Sequence, residues 1–376
     1  MAASPSGALE VRDGAVDTGW VSAQSSAGML TLDAGVGNLR QLELIDGERR
    51  ISPLATAPWV AHAGADFPDD LAPVERNLSG DFFCAPFGAS DVEDAPPHGW
   101  SANSSWTVTA DTGSRIEAEL DRPVMGAKIR KALDLSPDAP LLFQEHWIED
   151  GKGALTVAHH PMVRLVGGGR FTCSEKRVAV THEAPLEPGR ARLAPGVLAR
   201  DIARMPGAVG GFVDLTQLPI ANAHEDFVTL VEAEGQTIGW SAVLREDEDD
   251  IVFFVKDPSV LPITMLWHSN GGRDYPPWNG THRGVLGVED GCAAGANGHR
   301  TALAPNPVSA LGVPTSLPLG AGVTHRIAHV TGAIARPTEW SRVTDIRLSG
   351  DYLILTGDKG EARRLPFPSD FFAKEA

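Results

Sequence analysis

The feature that most constrains the fold is a long succession of short apolar runs that alternate with polar residues and are interrupted by turns. Residues 29–50 (MLTLDAGVGNLRQLELIDGERR) predict two strands, with turns at residues 33–37 and at Asp46-Gly47. The 40 Gly and 28 Pro are spread along the chain, as frequent turns require. No sustained helical period or fixed-length repeat is found. The pattern predicts an all-β sandwich or barrel.

The chain organisation follows from the same pattern. Residues 1–27 predict a loosely ordered N-terminal segment, and residues 28–374 predict one large β-sandwich domain. Residues 141–165 predict a hairpin that turns at Asp150-Gly151, and residues 128–134 fit either a strand or a helical turn.

Charge and composition exclude several classes of function. The formal net charge of -17 disfavours nucleic acid and anionic membrane surfaces as partners. Three cysteines without CxxC spacing predict neither a disulfide framework nor a cysteine metal site. Because the sequence contains neither a secretion signal nor an apolar run long enough to span a bilayer, we expect a cytoplasmic protein.

Residues 265–290 combine two predicted strands with a loop rich in Gly, Pro and Trp. Trp267 and Trp278 offer flat faces that cover the C–H faces of a sugar ring, and Arg273 offers donors for its hydroxyls. Glu289, on the second strand, is held where acid–base chemistry requires it. This stretch therefore predicts a sugar pocket, with a hairpin loop packed on the sheet as the alternative.

Three clusters of polar and aromatic residues occur at the ends of predicted strands: residues 97–106, residues 158–162 and the stretch ending at Glu289. His159 and His160 are adjacent on a strand and should point to opposite faces, so both would rarely bind one ion. Neither HxH nor HExxH spacing occurs, and we predict no metal and no cofactor. A catalytic metal held by His98, His160 and Glu289 remains the less favoured alternative.

No sequence signature of a nucleophile or of a phosphate site accompanies these clusters. The chain lacks a GxSxG elbow, a GxxxxGK[ST] loop and a dinucleotide fingerprint. Two histidines and a carboxylate without a nucleophile suit proton transfer between oxygen atoms.

The ordered motifs GDFFCAPFG, HGWSAN followed by Trp106, AHHPM and GVLGVED resemble the aldose 1-epimerase (galactose mutarotase-like) superfamily, in its divergent epimerase-like branches. The resemblance covers roughly residues 28–330 at the level of pattern. It implies a β-supersandwich of antiparallel sheets, with a sugar bound in an open cleft.

The resemblance also implies roles for individual residues. Glu289 would be the general base that removes the proton from the anomeric hydroxyl, and His160 the general acid that donates to the ring oxygen. His98 would hydrogen-bond the same region, and His159 replaces His160 if the strand phase is opposite. The residues expected to contact the sugar are Trp278, Asn103, Trp100, Asp81, His159, Trp267 and Arg273.

Several of these residues also have a structural interpretation. Trp100 more often packs in a core, Asn103 is suited to capping a turn, and Asp81 is equally suited to a turn.

The sequence departs from the family pattern at two arginine positions, which hold Ser79 and Ala102. Losing both removes the usual bidentate partners of a phosphate, so a neutral sugar is expected. Arg76, Arg164 or Arg273 are candidates to replace them. We therefore expect a monomeric or homodimeric enzyme that interconverts the anomers of a neutral sugar. The alternatives are a carbohydrate-binding protein without turnover and a metal-dependent sugar isomerase or lyase.

Overall fold

The computed structural model describes residues 19–61 and 67–373. Short strands dominate it, as the alternating pattern predicts. The first half of the chain contains β1 (Trp20–Ser25), β2 (Gly28–Asp33), β3 (Asn38–Asp46), β4 (Arg49–Ile51), β5 (Phe83–Cys84), β6 (Trp106–Asp111), β7 (Arg115–Leu120), β8 (Ala127–Leu135), β9 (Leu141–Asp150), β10 (Gly153–Leu155), β11 (Val157–His159), β12 (Met162–Arg164), β13 (Gly169–Cys173) and β14 (Lys176–Thr181).

The second half contains the remaining strands: β15 (Leu198–Ala199), β16 (Met205–Pro206), β17 (Phe212–Val213), β18 (Gln217–Leu218), β19 (His224–Glu232), β20 (Gly239–Arg245), β21 (Asp250–Lys256), β22 (Ile263–Asn270), β23 (Val285–Cys292), β24 (Leu317–Leu319), β25 (Thr324–Ala335), β26 (Val343–Leu348), β27 (Tyr352–Gly357) and β28 (Arg363–Pro366). Two short helices complete the regular structure, α1 (Pro73–Arg76) and α2 (His299–Leu303). Single 3-10 turns occur at Pro58–Ala61, Trp100–Ala102, Ile202–Arg204 and Ser309–Leu311. None of the described helices is long and apolar enough to cross a membrane.

Two large antiparallel sheets organise the molecule. One is eight-stranded, in the order β15-β14-β19-β22-β23-β11-β5, with β12 also paired to β23. The other is nine-stranded, in the order β18-β13-β20-β21-β25-β9-β8-β7-β6. Smaller sheets β1-β2-β3-β4 and β26-β27-β28 and the pairs β10-β24 and β16-β17 flank them.

The two large sheets pack face to face. Leu230 and Val288 of the eight-stranded sheet join Val243 and Phe254 of the nine-stranded sheet in one buried cluster. Because side chains alternate along a strand, the opposite faces are also apolar and need cover. The sheet β26-β27-β28 packs against the outer face of the nine-stranded sheet, and loops around Trp59 and Phe82 cover that of the eight-stranded sheet.

A chain of buried ion pairs lies between the two sheets. Lys256, which is fully buried, approaches Asp290 Oδ1 at 2.7 Å and Glu232 Oε1 at 3.0 Å. Glu232 also pairs with Lys176. Buried charges need such partners, because an unpaired ion loses its hydration without compensation. The chain connects β21 of one sheet to β19 and β23 of the other.

Several local predictions can be compared with this architecture. The hairpin β2-β3 forms at the predicted turn, and residues 128–134 lie within strand β8. The prediction of a hairpin that turns at Asp150-Gly151 is wrong, because β9 pairs with β8 and β25 while β10 pairs with β24. Strand β1 already begins at Trp20, inside the segment predicted to be loosely ordered, since it pairs along its whole length with β2. Residues 1–18 lie outside the described residues.

Candidate active site

A pocket of about 220 Å³ opens on the outer face of the eight-stranded sheet. Its volume lies below the ~300–1,000 Å³ usual for drug-sized ligands, so it suits one small molecule. Its floor comes from β19, β22 and β23, and its walls come from loops. The polar groups that line it are Glu75, His98, His160, Arg273 and Glu289.

Strand alternation directs Glu289 into the pocket and Asp290 away from it. Glu289 pairs with Met265 across β22-β23 and lies on the outer face, whereas Asp290 reaches the ion pairs between the sheets. The same period of two separates His160, which lines the pocket, from His159, which points between the sheets. His160 Nε2 lies 3.1 Å from Glu289 Oε1.

A glycine opposite Trp267 makes room for the carboxyl group. Gly287 pairs with Trp267 across β22-β23, and a Cβ at this position would lie 2.7 Å from Glu289 Oε1 and 3.1 Å from Trp267 Cβ. Any larger residue would therefore displace the Glu289 side chain or the Trp267 ring.

Glu289 is fully buried and poorly solvated. Oε2 has no hydrogen-bond partner among residues 19–61 and 67–373, and Oε1 has only the approach to His160. Burial disfavours the charged form, so the pKa of Glu289 lies well above its ordinary value of about 4.5. A carboxyl group with a raised pKa, in a pocket beside an imidazole, is typical of a proton-transfer site.

Burial affects the histidines in the opposite sense. It lowers the pKa of His160 to about 4, and burial together with the neighbouring His160 lowers the pKa of His98 to about 3. Burial therefore favours a shared proton on the Glu289 carboxyl over the same proton on the His160 imidazole. With that proton on the carboxyl the pair is neutral, and with it on the imidazole the pair offers a base and an acid.

His98 lies against His160 and has an unusual backbone conformation. It has a φ of 67°, a conformation that is uncommon outside glycine and recurs at functional sites. Its ring meets that of His160 edge to face with centroids 5.3 Å apart, and its Nδ1 lies 3.2 Å from Cys84 Sγ. The pocket thus contains His98 as the sequence predicted.

Trp267, Trp278 and Arg273, which all come from residues 265–290, line the pocket together. The Arg273 guanidinium lies 4.3 Å from the centroid of Trp278 and pairs with Glu187 Oε1 at 2.9 Å. Trp267 is fixed by a 3.0 Å hydrogen bond from its Nε1 to Glu225 Oε2. Packing and hydrogen bonding thus hold the ring faces in place before any ligand arrives.

Among the arginines proposed to replace the missing family arginines, Arg273 is the one in the pocket. Arg76 instead donates to the carbonyls of Leu71 and Pro68, and Arg164 is exposed on β12.

Two predicted sugar contacts are instead structural. The Asn103 amide accepts from Val74 N and donates to the carbonyls of Pro97 and Gly99, which occupies its polar atoms. Trp100 packs beside the core under the β1-β2-β3-β4 sheet, with the Arg122 guanidinium 3.7 Å from its ring centroid. Neither residue lines the pocket.

Asp81 and His159 also lie behind the pocket rather than in it. Asp81 Oδ1 accepts the backbone N–H of His160 at 2.8 Å, so it positions the histidine without facing a ligand. Nor do His98, His160 and Glu289 form the predicted alternative metal site. Over the described part of the chain, the set of imidazole and carboxylate groups close enough to share an ion is Asp81, His159 and His329.

Several pocket residues were not predicted individually, among them three phenylalanines and Glu75. Phe82, Phe87 and Phe227 supply aromatic walls, and Phe82 stacks on His160 with centroids 4.4 Å apart. Two of them belong to the GDFFCAPFG motif, which could have identified them. Glu75 lies on α1 in a segment that reads as a polar loop, and burial raises its pKa.

No protein-family model and no curated protein matches this sequence. Solved structures do share the fold. A GalM/aldose epimerase homologue from C. elegans is 14% identical with a TM-score of 0.56, covering 85% of this chain and 99% of its own. A galactose mutarotase-like protein from Lactobacillus casei is 13% identical with a TM-score of 0.55, covering 84% and 100%.

A galactose mutarotase related enzyme from Lactobacillus acidophilus is similar at 12% identity and a TM-score of 0.53, covering 85% of this chain and 99% of its own. The chain therefore has the galactose mutarotase-like fold, an all-β supersandwich of antiparallel sheets, as its motifs predicted. Identities this low establish the fold alone, so the chemistry has to be argued from the site.

Proposed function

We propose that the protein is an aldose 1-epimerase-like isomerase that interconverts the anomers of a small neutral sugar. The observation that supports this most is the Glu289–His160 pair, 3.1 Å apart at the floor of an aromatic-walled pocket. One carboxyl and one imidazole group suffice for a reaction that moves one proton off an oxygen atom and one proton onto another.

The reaction begins with the shared proton on His160, which leaves Glu289 ionised. Glu289 removes the proton of the anomeric hydroxyl while His160 donates its proton to the ring oxygen. The bond between C1 and the ring oxygen breaks, and an open-chain aldehyde forms. After rotation about the C1–C2 bond the two groups exchange roles, the ring closes on the other face of C1, and the pair regains its starting protonation.

The pocket supports a neutral substrate. Its single arginine, Arg273, is already paired with Glu187, so little positive charge remains for a phosphate or carboxylate. Aromatic and aliphatic side chains form most of the remaining lining, which matches the C–H faces of a sugar ring. Exclusion of water by these walls strengthens the electrostatic contacts inside the pocket.

The test is saturation-transfer NMR of anomer exchange over a panel of neutral aldoses, with the wild type, His160→Ala and a control. His224→Ala is the matched control, because His224 is a buried histidine bonded to Asp226 outside the pocket. We expect accelerated exchange of one sugar by the wild type and the control, and a loss of about 10²–10⁴-fold in His160→Ala. Unchanged exchange in His160→Ala would contradict the proposal.

The second candidate is a carbohydrate-binding protein without turnover. It is favoured by Ser79 and Ala102 at the family's arginine positions, because both are fully buried away from the pocket lining. Ligand-induced shifts without accelerated exchange for any sugar would select this alternative over the isomerase.

A further inference from the structure

A second cluster of functional groups lies between the two large sheets, behind the catalytic pair. It consists of Asp81, which precedes β5, His159 of β11 and His329 of β25. Their potential ligand atoms all lie within 4.8 Å of one another. None of the three residues is more than 2% exposed. The cluster therefore combines two imidazoles and one carboxylate in the protein interior.

The imidazole nitrogens of this cluster lack partners. Both ring nitrogens of His159 lack a hydrogen-bond partner in the described ranges of the chain, and so does Nδ1 of His329. The closest approach, from His159 Nδ1 to Asp81 Oδ2, is 3.5 Å, which is too long for a strong hydrogen bond. Buried polar atoms are nearly always satisfied, so three unpartnered nitrogens beside a carboxylate indicate a set of groups suited to binding a ligand.

Among the residues that the structure describes, histidine is the cationic partner of the Asp81 carboxylate. It accepts hydrogen bonds from Gln144 Nε2 at 2.9 Å and from the backbone N–H of His160. The only ion-pair contact described for it is the one with His159. The buried Lys131 instead donates to the Gly37 carbonyl. A buried carboxylate without a counter-ion is costly, and a bound cation would remove that cost.

The surroundings of His329 are those of a metal ligand. Its Nε2 lies 3.1 Å from Asp290 Oδ2, so an Nε2–H group donates to this carboxylate and Nδ1 keeps its lone pair free. Histidines that bind metals are usually oriented in this way, by a carboxylate on the second ring nitrogen. Gln144 supports Asp81 in the corresponding manner.

We propose that Asp81, His159 and His329 bind one divalent ion of the first transition series, with Zn²⁺ the first ion to test. Imidazole nitrogens favour Zn²⁺, Fe²⁺ or Co²⁺, whereas Ca²⁺ and Mg²⁺ prefer sites made of oxygen ligands. Three protein ligands leave one position of a tetrahedral ion for water.

Binding requires a local rearrangement of the rings. His159 and His329 are stacked at present, with centroids 4.3 Å apart and planes 14° from parallel. Ligand atoms around a tetrahedral zinc ion lie about 3.3 Å apart, so at least one ring has to turn its lone pair towards the ion. Because His159 and His160 face opposite sides of their strand, the ion would not contact a ligand in the sugar pocket. It would instead link the two large sheets.

The test is the metal content of the full chain after refolding with one equivalent of Zn²⁺ or Co²⁺ and gel filtration. We expect one ion per chain in the wild type and visible d–d absorption with Co²⁺. Both should be lost in His159→Gln and in His329→Gln, and kept in His224→Gln, a buried histidine paired with a carboxylate elsewhere. Equal metal content in the wild type and both cluster variants would contradict the site.

A second measurement uses the wild type alone, so it tests the site even if the cluster variants do not fold. The wild type refolded with Zn²⁺ should unfold at a higher temperature than the wild type refolded with a chelator, since an ion bound only to the folded state stabilises it. If wild type refolded with Zn²⁺, Co²⁺, Fe²⁺ or Mn²⁺ retains no ion and unfolds at one temperature throughout, the site does not exist. Neither readout depends on anomer exchange, so this proposal and the isomerase proposal fail independently.

Discussion

At the scale of single residues, the main feature of the site is that Glu289 lies where burial disfavours its ionised form. The carboxyl is fully buried, its Oε2 has no donor within residues 19–61 and 67–373, and burial alone raises its pKa. A residue kept there for stability would be replaced by a neutral or apolar one. An ionisable group held at this cost supports the proposed acid–base role of Glu289.

Glu289→Gln should therefore stabilise the protein at neutral pH. Below the unfolded pKa of about 4.5 the carboxyl is protonated in both states and contributes no pH dependence. As pH rises from there to the raised folded pKa, folding requires proton uptake, and stability falls by about 1.4 kcal/mol per pH unit. The glutamine variant lacks this loss.

The measurement is urea unfolding of the wild type and Glu289→Gln between about pH 4.5 and pH 8. We expect the two free energies of unfolding to converge at the acidic end, and the variant to gain on the wild type as pH rises until it passes the raised folded pKa of Glu289. Parallel curves with a constant difference would show that Glu289 does not titrate with a raised pKa in the folded state.

The sequence predicted the positions of some of these side chains and not of others. Alternation along a strand separated Glu289 from Asp290 and His160 from His159, because a period of two holds whatever the strand pairs with. The sugar contacts that the resemblance implied for Trp100 and Asn103 are absent, because both residues lie at a 3-10 turn, where alternation along a strand does not determine which way a side chain points. Glu75 was missed because a polar residue on a short helix resembles a solvated one until the fold buries it.

At the scale of elements, the hairpin of β22 and β23 builds most of the pocket. It supplies Glu289, Trp267 and, from its loop, Arg273 and Trp278. Its two strands were predictable, because they are adjacent in sequence and joined by a recognisable loop. The pairing of β9 with β25 was not, because these strands are far apart along the chain and no local turn connects them.

Gly287→Ala tests whether this hairpin positions the Glu289 carboxyl. The added methyl group would meet Glu289 Oε1 at 2.7 Å, so the carboxyl has to move while the strand pairing can remain. A displacement of about 1 Å reduces turnover by roughly 10²-fold. We expect such a loss of anomer exchange, measured by saturation-transfer NMR, with an unchanged circular dichroism spectrum.

The matched control is Gly320→Ala, whose added Cβ finds its nearest neighbour, Val323, at an ordinary 3.4 Å. It should exchange anomers at the wild-type rate. Wild-type exchange in Gly287→Ala as well would mean that the position of the Glu289 carboxyl does not limit the reaction.

At the scale of the whole molecule, charged groups as well as apolar ones connect the two large sheets. Lys256 links Asp290 and Glu232, whereas the similarly buried Lys131 donates to the Gly37 carbonyl and lies 3.8 Å from the centroid of the Trp106 ring. Burial lowers the pKa of Lys131 to about 7, which reflects a charge without a carboxylate partner in contact. The all-β class was predictable from turn spacing, but this charged interior was not, because its members come from distant strands.

The two lysines should respond differently to the same substitution. Lys256→Met leaves two buried carboxylates without a shared cation and should lower the free energy of unfolding by about 3–5 kcal/mol. Lys131→Met removes a charge that burial already disfavours and should change it by no more than about 1.5 kcal/mol. Urea unfolding at pH 7 measures both, and equal losses would contradict the role assigned to the ion-pair chain.

The most direct test of the central claim is a double-mutant cycle on anomer exchange, using His160→Ala, Glu289→Gln and the double variant with the sugar that the wild type accelerates. Groups that act as one proton-transfer pair have strongly non-additive effects. We expect each single variant to lose about 10²–10⁴-fold and the double variant to be no slower than the slower single variant. Losses that multiply in the double variant, or a single variant that keeps the wild-type rate, would show that Glu289 and His160 do not work as a pair.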